Sequence, residues 1–431
     1  MISSVQTLTH DSTVISVTGA HEAARASRQS LRGLDWFTFF LGDIQTGFGP
    51  FIAVYLVTQK WTQTDIGLVL TVGALTGLIC QIPGGALIDA VRSERTAAAI
   101  SVAAIGVSAF IIAAWPAFLA VAFARIVHAA ASSVVGPAIA ALTLGLVGRQ
   151  GMAQRLGRNA RFASIGNGAA AGLMGVCGYF FSAQSVFFVT AAFALPTIAA
   201  LLQIRESDVN VENAHGGVAK PPSPNIAAGL GELLSKRSLW IFIACISLFQ
   251  MANTPMLPLM GSRLTLQSSD WAVALVAACI VIPQGVVAIL SPTVGRLAQN
   301  WGRRPLLIIG LVVLPLRALL FAFSSNPVAV IAVQLLDGVS AAALGVLIPL
   351  VIADISFGTG RFNLAQGVVG TTIGISAALS TFAAGYVADH FGSQTVFLCL
   401  AALAGLGVLL SALLMPETRP GALSLHLRRK I

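Results

Sequence analysis

LLIIGLVVLPLRALLFAF, Leu306–Phe323, and PVAVIAVQLLDGVSAAALGVLIPLVI, Pro327–Ile352, stand three residues apart, and how they are read decides the fold. The first run carries one charge, Arg317, and the second one charge, Asp337. At 1.5 Å rise per residue the shorter run makes a helix about 27 Å long, close to the hydrocarbon thickness of a bilayer. In that medium every backbone N–H and C=O must be paired within its own element, which leaves helices or closed barrels. Neither run alternates polar and apolar residues as a barrel strand does, so both read as spanning helices joined by a tight turn at Ser324–Asn326.

The same pattern extends over the rest of the chain. Of its 431 residues 56% are hydrophobic and 10% charged, against roughly 25% charged in soluble proteins. Apolar runs bounded by Gly, Pro and charges predict spans near 34–57, 65–89, 96–114, 117–147, 161–181 and 184–204. Six more follow near 238–260, 271–296, 306–323, 327–352, 363–386 and 394–414. The expectation is an all-α membrane protein of twelve transmembrane helices in two pseudo-symmetric six-helix bundles, 34–204 and 238–414. Residues 1–33 read as a disordered cytoplasmic arm, too polar for a signal peptide. The proline-bearing stretch 205–237 reads as a cytoplasmic linker and 415–431 as a cytoplasmic tail.

Placing the N-terminus inside puts 21 of the 25 Lys and Arg on the cytoplasmic side, two outside (Lys60 and Arg263) and two within helices (Arg125 and Arg317). This asymmetry predicts a multi-pass protein of an inner or plasma membrane with both termini cytoplasmic. It also accounts for the net charge of +9 without a nucleic-acid partner. The five cysteines, Cys80, Cys177, Cys245, Cys279 and Cys399, fall inside apolar runs with no disulfide or metal spacing. A constant offset of 210 residues aligns Trp61 with Trp271, Gly85 with Gly295, Leu87 with Leu297, Gly175 with Gly385, Gln184 with Gln394 and Phe187 with Phe397. Such self-similarity is expected of two halves related by an axis along the membrane normal.

Two equivalent loops carry related motifs, GALIDAVRSER from Gly85 to Arg95 and GRLAQNWGRRP from Gly295 to Pro305. They resemble the signature loop of the major facilitator superfamily at both places where that family carries it, and the resemblance spans roughly residues 34 to 414. The first copy keeps Asp89 and lacks the second Gly; the second keeps Gly302, Arg303 and Arg304 and has Gln299 in place of Asp. A small residue at Gly85 lets two helices approach closely. Asp89 can pair with Arg92 or Arg95, or face a helix N-terminus across the interface. Contacts of this kind, broken and remade between inward and outward states, would form a latch; the plainer reading is a set of topology-determining charges.

RIVHAAASS, Arg125–Ser133, resembles the Arg-containing fourth-helix motif of drug/proton antiporters, with His128 and Ala129 where Gln and Gly usually stand. An Arg at bilayer depth costs at least about 2.5–3.5 kcal/mol unless it faces a cavity or partner. Asp43 in the first span lies at a comparable depth, so it could bind a proton whose affinity Arg125 tunes, or be a fixed structural partner. His128, whose pKa near 6.5 suits coupling, could equally be a hydrogen-bonded core residue. Arg317 and Asp337 differ in depth by about 6 Å at helical rise and read as hairpin neighbours. This placement is similar to the proton-coupling region of lactose-permease-type symporters, although a folding salt bridge fits it too. In the fifth span GNGAAAGLMG has Leu173 where the antiporter motif has Pro.

Gln45, Gln81, Gln250, Asn253, Gln284 and Gln334 lie within spans, where an unpaired amide is costly, and are candidates for substrate contact. Pro50, Pro83, Pro137, Pro255, Pro283 and Pro349 could bend their helices. No HExxH, Walker-type loop or GxSxG elbow is present, so no enzyme, metal or cofactor is expected. The resemblance implies proton-coupled movement of a small-molecule substrate by a lipid-embedded monomer, with efflux favoured by the fourth-helix motif. Uptake of a small polar metabolite by proton symport is the rival reading, and a substrate-sensing receptor on a transporter scaffold a third.

Overall fold

Each long apolar run becomes a helix in the computed structural model, which describes residues 26–46, 50–218, 226–267, 272–324 and 326–420. The first span is built from α1 (Arg28–Thr46) and α2 (Pro50–Thr58), with Pro50 as the opening residue of α2. Then come α3 (Gln63–Ala90), α4 (Glu94–Ala114), α5 (Phe118–Phe180) and α6 (Ser185–Leu202). The helix α5 contains two spans, because Gly148 at φ +63° and ψ 179° reverses the chain between them. Helix begins again immediately after that kink, so of the residues 148–160 read from sequence as a connection, 149–160 are helical.

The second half runs α9 (Arg237–Asn253), α10 (Met256–Gln267), α11 (Ala272–Asn300), α12 (Arg303–Phe323), α13 (Pro327–Ser356), α14 (Phe362–Phe391) and α15 (Ser393–Leu414). Pro255 cannot continue α9, since it lacks an N–H and its ring crowds the preceding turn, so α9 and α10 form one broken span. Among the described residues ten helices are long and apolar enough to cross a membrane. Counting α5 twice and adding the broken α1–α2 span gives twelve. Side chains such as Leu119, Phe382 and Ile289 are more than 70% exposed around the bundle, which suits a lipid belt and would be a liability in water.

Two apolar cores mark the two bundles. One gathers Leu34, Phe37, Tyr55, Val102, Phe187 and Leu201; the other centres on Phe242, Phe321, Phe362 and Phe397. The bundles meet along α3 with α14 and α5 with α11. The close approaches there obey the 210-residue offset. A side chain at Gly85 would overlap the carbonyl of Asn363, and one at Gly295 the carbonyl of Ala153. Likewise Gly367 faces the Gln81 carbonyl and Gly157 that of Ser291. Each pair maps onto its counterpart by the same shift, so the sequence repeat is a structural two-fold.

The stretch between the halves is folded where it is described. It holds a single 3-10 turn (Glu206–Asp208), α7 (Val211–Ala214) and α8 (Ile226–Leu234). Asn210 N donates to Gly145 O, and Gly358 N to Gly216 O, so the linker touches both bundles. Asp208 accepts from the hydroxyls of Ser27 and Ser30 ahead of and within α1. These hydrogen bonds hold its carboxyl below the usual carboxylate range. The helix α1 therefore begins at Arg28, inside the stretch read from sequence as a disordered arm; residues 1–25 and 421–431 lie outside the described residues.

Candidate functional site

The charges collect at the end of the bundle where α3 meets α4 and α11 meets α12, called here the basic end. Asp89, 1% exposed in the last turn of α3, accepts from the backbone N–H groups of Asn363 (3.1 Å) and Leu364 (2.8 Å) and from Asn363 Nδ2 (2.8 Å). It thereby caps the N-terminus of α14, supplying an anion to orphan donors at the positive end of the helix dipole. Of the arrangements open to Asp89, the structure has the helix-terminus one. Arg95 instead pairs with Glu206 at 3.1 Å and donates to Ile204 O, while Arg92 is exposed.

In the second copy Gly302 adopts φ +104°, a left-handed conformation suited to glycine, and a Cβ there would overlap the Glu417 carboxylate. Glu417 accepts from the N–H groups of Arg303 and Arg304, capping α12. Arg303 Nε donates to Asp354 at 2.9 Å, and Arg149 from the other bundle reaches the same carboxylate at 3.1 Å. Arg304 donates to Ala412 O. Gln299, standing where the first copy has Asp89, donates to Gln150 O across the bundle interface at 2.5 Å. Asp354, Arg149, Asn363 and Glu417 were not singled out from sequence. Each needs a partner on a distant helix, and no local spacing reports it.

Deeper in the second bundle, three of the residues picked out from sequence converge. Arg317 Nη1 donates to Asp337 Oδ1 at 2.5 Å and to Asn253 Oδ1 at 2.7 Å. Arg317 is 2% exposed and Asp337 27% in their side chains, so the carboxylate keeps an open face that the guanidinium lacks. Asn253 is the last residue of α9, brought there by the break before Pro255. One turn before Asp337, Gln334 is fully buried and donates to Cys279 O of α11. Gln250 donates to Thr254 within its own span.

In the first bundle Arg125 lies over α3 where Gly73 leaves room; a Cβ at Gly73 would stand 2.7 Å from Arg125 Nη2. His128 Nε2 is 3.4 Å from Ser132 Oγ on the next turn. The side chains of Asp43 and Gln45 lie outside the described residues, so their relation to Arg125 does too. At the bundle interface Ser164 Oγ donates to Gln284 Oε1 at 2.9 Å, and Gln81 packs against Gly370. These contacts close the interface from the basic end to about 18 Å along α14, taking Gly374 against Leu78 as the last pair.

A cavity of about 230 Å³ lies between the bundles, lined by Thr38, Gly42, Asn159, Asn167, Pro349 and Gln366 among others. Among the described residues its walls carry no charged side chain. Asn159 is held by Arg155 and donates to Thr143, whereas Gln366 Nε2 has no hydrogen-bond partner among the described residues. A neutral solute with an acceptor group would satisfy that amide. Of these lining amides Asn159 lies in the stretch 148–160 read as a connection, while Asn167 and Gln366 lie within the expected spans, where composition alone does not show which helix face meets the cavity.

The family model described as Major Facilitator Superfamily matches residues 35–286 and again 252–430. An uncharacterized MFS-type transporter of Mycobacterium tuberculosis is 39% identical over 389 residues, covering 90% of this chain and 93% of the relative. Multidrug resistance protein 2 of Bacillus subtilis is 28% identical over 130 residues, 30% of this chain and 32% of that protein. Among solved structures, the Major Facilitator Superfamily transporter FucP in the outward conformation superposes with a TM-score of 0.71. It shares 14% identity, over 89% of this chain and 97% of that one.

Proposed function

The chain belongs to the major facilitator superfamily of secondary transporters, and from that membership we propose that it moves a small molecule by proton-coupled alternating access, in the direction of efflux. The observation that carries the coupling is the Arg317–Asp337–Asn253 cluster. A guanidinium sealed in a low-dielectric bundle depends on its carboxylate partner. Protonating Asp337 through its open face removes that partner, so proton binding and the packing of α9, α12 and α13 are linked. The basic end is placed in the cytoplasm on the distribution of Lys and Arg. Its closed interface then corresponds to an outward-facing state.

Efflux is supported by Arg125 at bilayer depth in the fourth span, within a motif similar to that of drug/proton antiporters, and by the partial match to the Bacillus subtilis protein. Symport is the second reading, favoured by the placement of an Arg in the ninth span against a carboxylate in the tenth. The described neutral amides around the 230 Å³ cavity, Asn159, Asn167 and Gln366, support an uncharged or zwitterionic solute. The test is a proteoliposome assay in which a panel of lipophilic drugs, sugars and organic acids is offered under an imposed pH gradient. Proton entry driving substrate out supports the efflux reading; co-directional movement of both would replace it with symport.

A further inference from the structure

A second and larger recess, about 860 Å³, opens on the flank of the basic end, where the start of α1, the second part of α5 and the end of α11 come together. Among the described residues six arginines line it, Arg28, Arg32, Arg155, Arg158, Arg161 and Arg296, against one carboxylate, Asp35. Asp35 is already shared: Arg155 Nη2 reaches its Oδ1 at 2.7 Å and Arg158 Nη2 its Oδ2 at 2.7 Å. Arg155 is 6% exposed and fixed further by Leu31 O and Asn159, so the floor of the recess is a rigid, buried cation. Arg28, Arg32 and Arg161 are exposed and make no hydrogen bond or ion pair among the described residues. Arg296 has one weak contact, to Thr293 Oγ1 at 3.2 Å.

Six cations lining one recess with a single carboxylate leave it positively charged, and Arg155 and Arg158, on the two oxygens of that carboxylate, lie within a Debye length of about 8 Å of each other, so an anion would be favoured there. The depth of the recess is set by the sequence. Arg28 and Arg32 precede the apolar run of α1, Arg155 and Arg158 precede that of the second α5 span with Arg161 at its edge, and Arg296 closes that of α11. All six therefore sit at the level of lipid headgroups. Apolar side chains continue from the recess toward the hydrocarbon at Phe162 and Ile165 on α5. The chain's own termini do not complement it: residues 1–25 hold only Asp11 and Glu22 against Arg25, and residues 421–431 hold Arg428, Arg429 and Lys430.

We propose that this recess binds the phosphate headgroup of an anionic membrane lipid, with its acyl chains along Phe162 and Ile165, and that the bound lipid bridges the two bundles. The bridge follows from the ownership of the arginines: five belong to the first bundle and Arg296 to the second. A headgroup held by both favours the state in which α5 and α11 are in contact. Basic pockets between transmembrane helices at the cytoplasmic level are suited to such headgroups, and planar guanidiniums to phosphate. The site rests on the multi-pass membrane placement alone and stands whether or not transport is proton-coupled.

The test uses the full chain purified in detergent and titrated with phosphatidylglycerol or phosphatidylcholine, with binding read by native mass spectrometry. Phosphatidylglycerol should bind in preference, and the triple variant Arg32→Gln, Arg161→Gln, Arg296→Gln should bind it more than about tenfold more weakly. The corresponding triple Arg→Lys variant should keep most of the affinity, which separates loss of charge from misfolding. Arg237→Gln, an exposed charge at the same end outside the recess, should leave binding unchanged. Equal binding of the two lipids, or an unaltered triple Gln variant, overturns the proposal. So does displacement of the lipid by millimolar inorganic phosphate, which would assign the recess to a soluble anion.

Discussion

Among the described residues Arg317 is the largest of the fully buried side chains, and its two partners account for its place in the bundle. Asp337→Asn keeps the shape of the pair but leaves the guanidinium without a counter-charge. Truncating one side of a buried pair costs about 3–5 kcal/mol, so the variant should unfold at a clearly lower temperature in detergent. Removing both charges, Arg317→Gln with Asp337→Asn, should recover part of that loss; a single variant as stable as the native chain would refute the pairing. This pair was legible in the sequence because a short turn joins its two helices and simple rise arithmetic matches their depths. The Asp89 contacts with Asn363 span 274 residues and the Arg149–Asp354 pair 205. Sequence named Asp89 and the kind of partner it could have, but neither Asn363 nor the second pair, because which helix faces meet is decided by packing of the whole bundle.

At the scale of elements, the linker departs most from its sequence reading. Prolines and polarity predict a loop, yet residues 206–217 dock against both bundles, with Ala214 and His215 fully buried. His215 Nε2 stands 3.4 Å from Glu94 Oε1, and burial outweighs the hydrogen bonds to the Ile88 and Val211 backbone to hold the imidazole below its ordinary pKa. The sign follows directly. A lowered imidazole pKa means the undocked segment binds the proton more readily, so docking is fully stable above about pH 6.5 and weakens as pH falls below it. Amide hydrogen exchange over residues 206–217, with intrinsic rates corrected for pH, should show less protection at pH 5.5 than at 7.5. His215→Gln should remove the difference, and equal protection of the native chain at both values would exclude the imidazole as its source. The reversal at Gly148 has a comparable lesson: the sequence places a connection at 148–160, and the structure makes the turn at its first residue alone, a glycine at φ +63°, with helix resuming directly after it.

Over the whole molecule, the 210-residue repeat read from six scattered matches reappears as four glycine-to-carbonyl contacts that close the basic end on both sides. Twelve helices and two halves were legible because the bilayer imposes length and apolarity on every span; the conformational state was not, since both states share those spans. A methyl group at these contacts forces backbone apart, at a cost of about 1–3 kcal/mol. Gly85→Ala with Gly295→Ala should therefore shift the population toward an open basic end. Spin labels at the exposed positions Arg92, in the first half, and Trp301, between α11 and α12 in the second, should report a longer distance than in the native chain. An unchanged distribution would mean that the closed interface does not depend on these approaches. The central claim is that the same rocking is driven by protons through Asp337. It is tested most directly by substrate movement in proteoliposomes under a pH gradient, comparing the native chain, Asp337→Asn and Asp43→Asn. The account predicts that Asp337→Asn still exchanges substrate between equal pools but no longer moves it against its gradient. Gradient-driven transport by Asp337→Asn at the native level would contradict it.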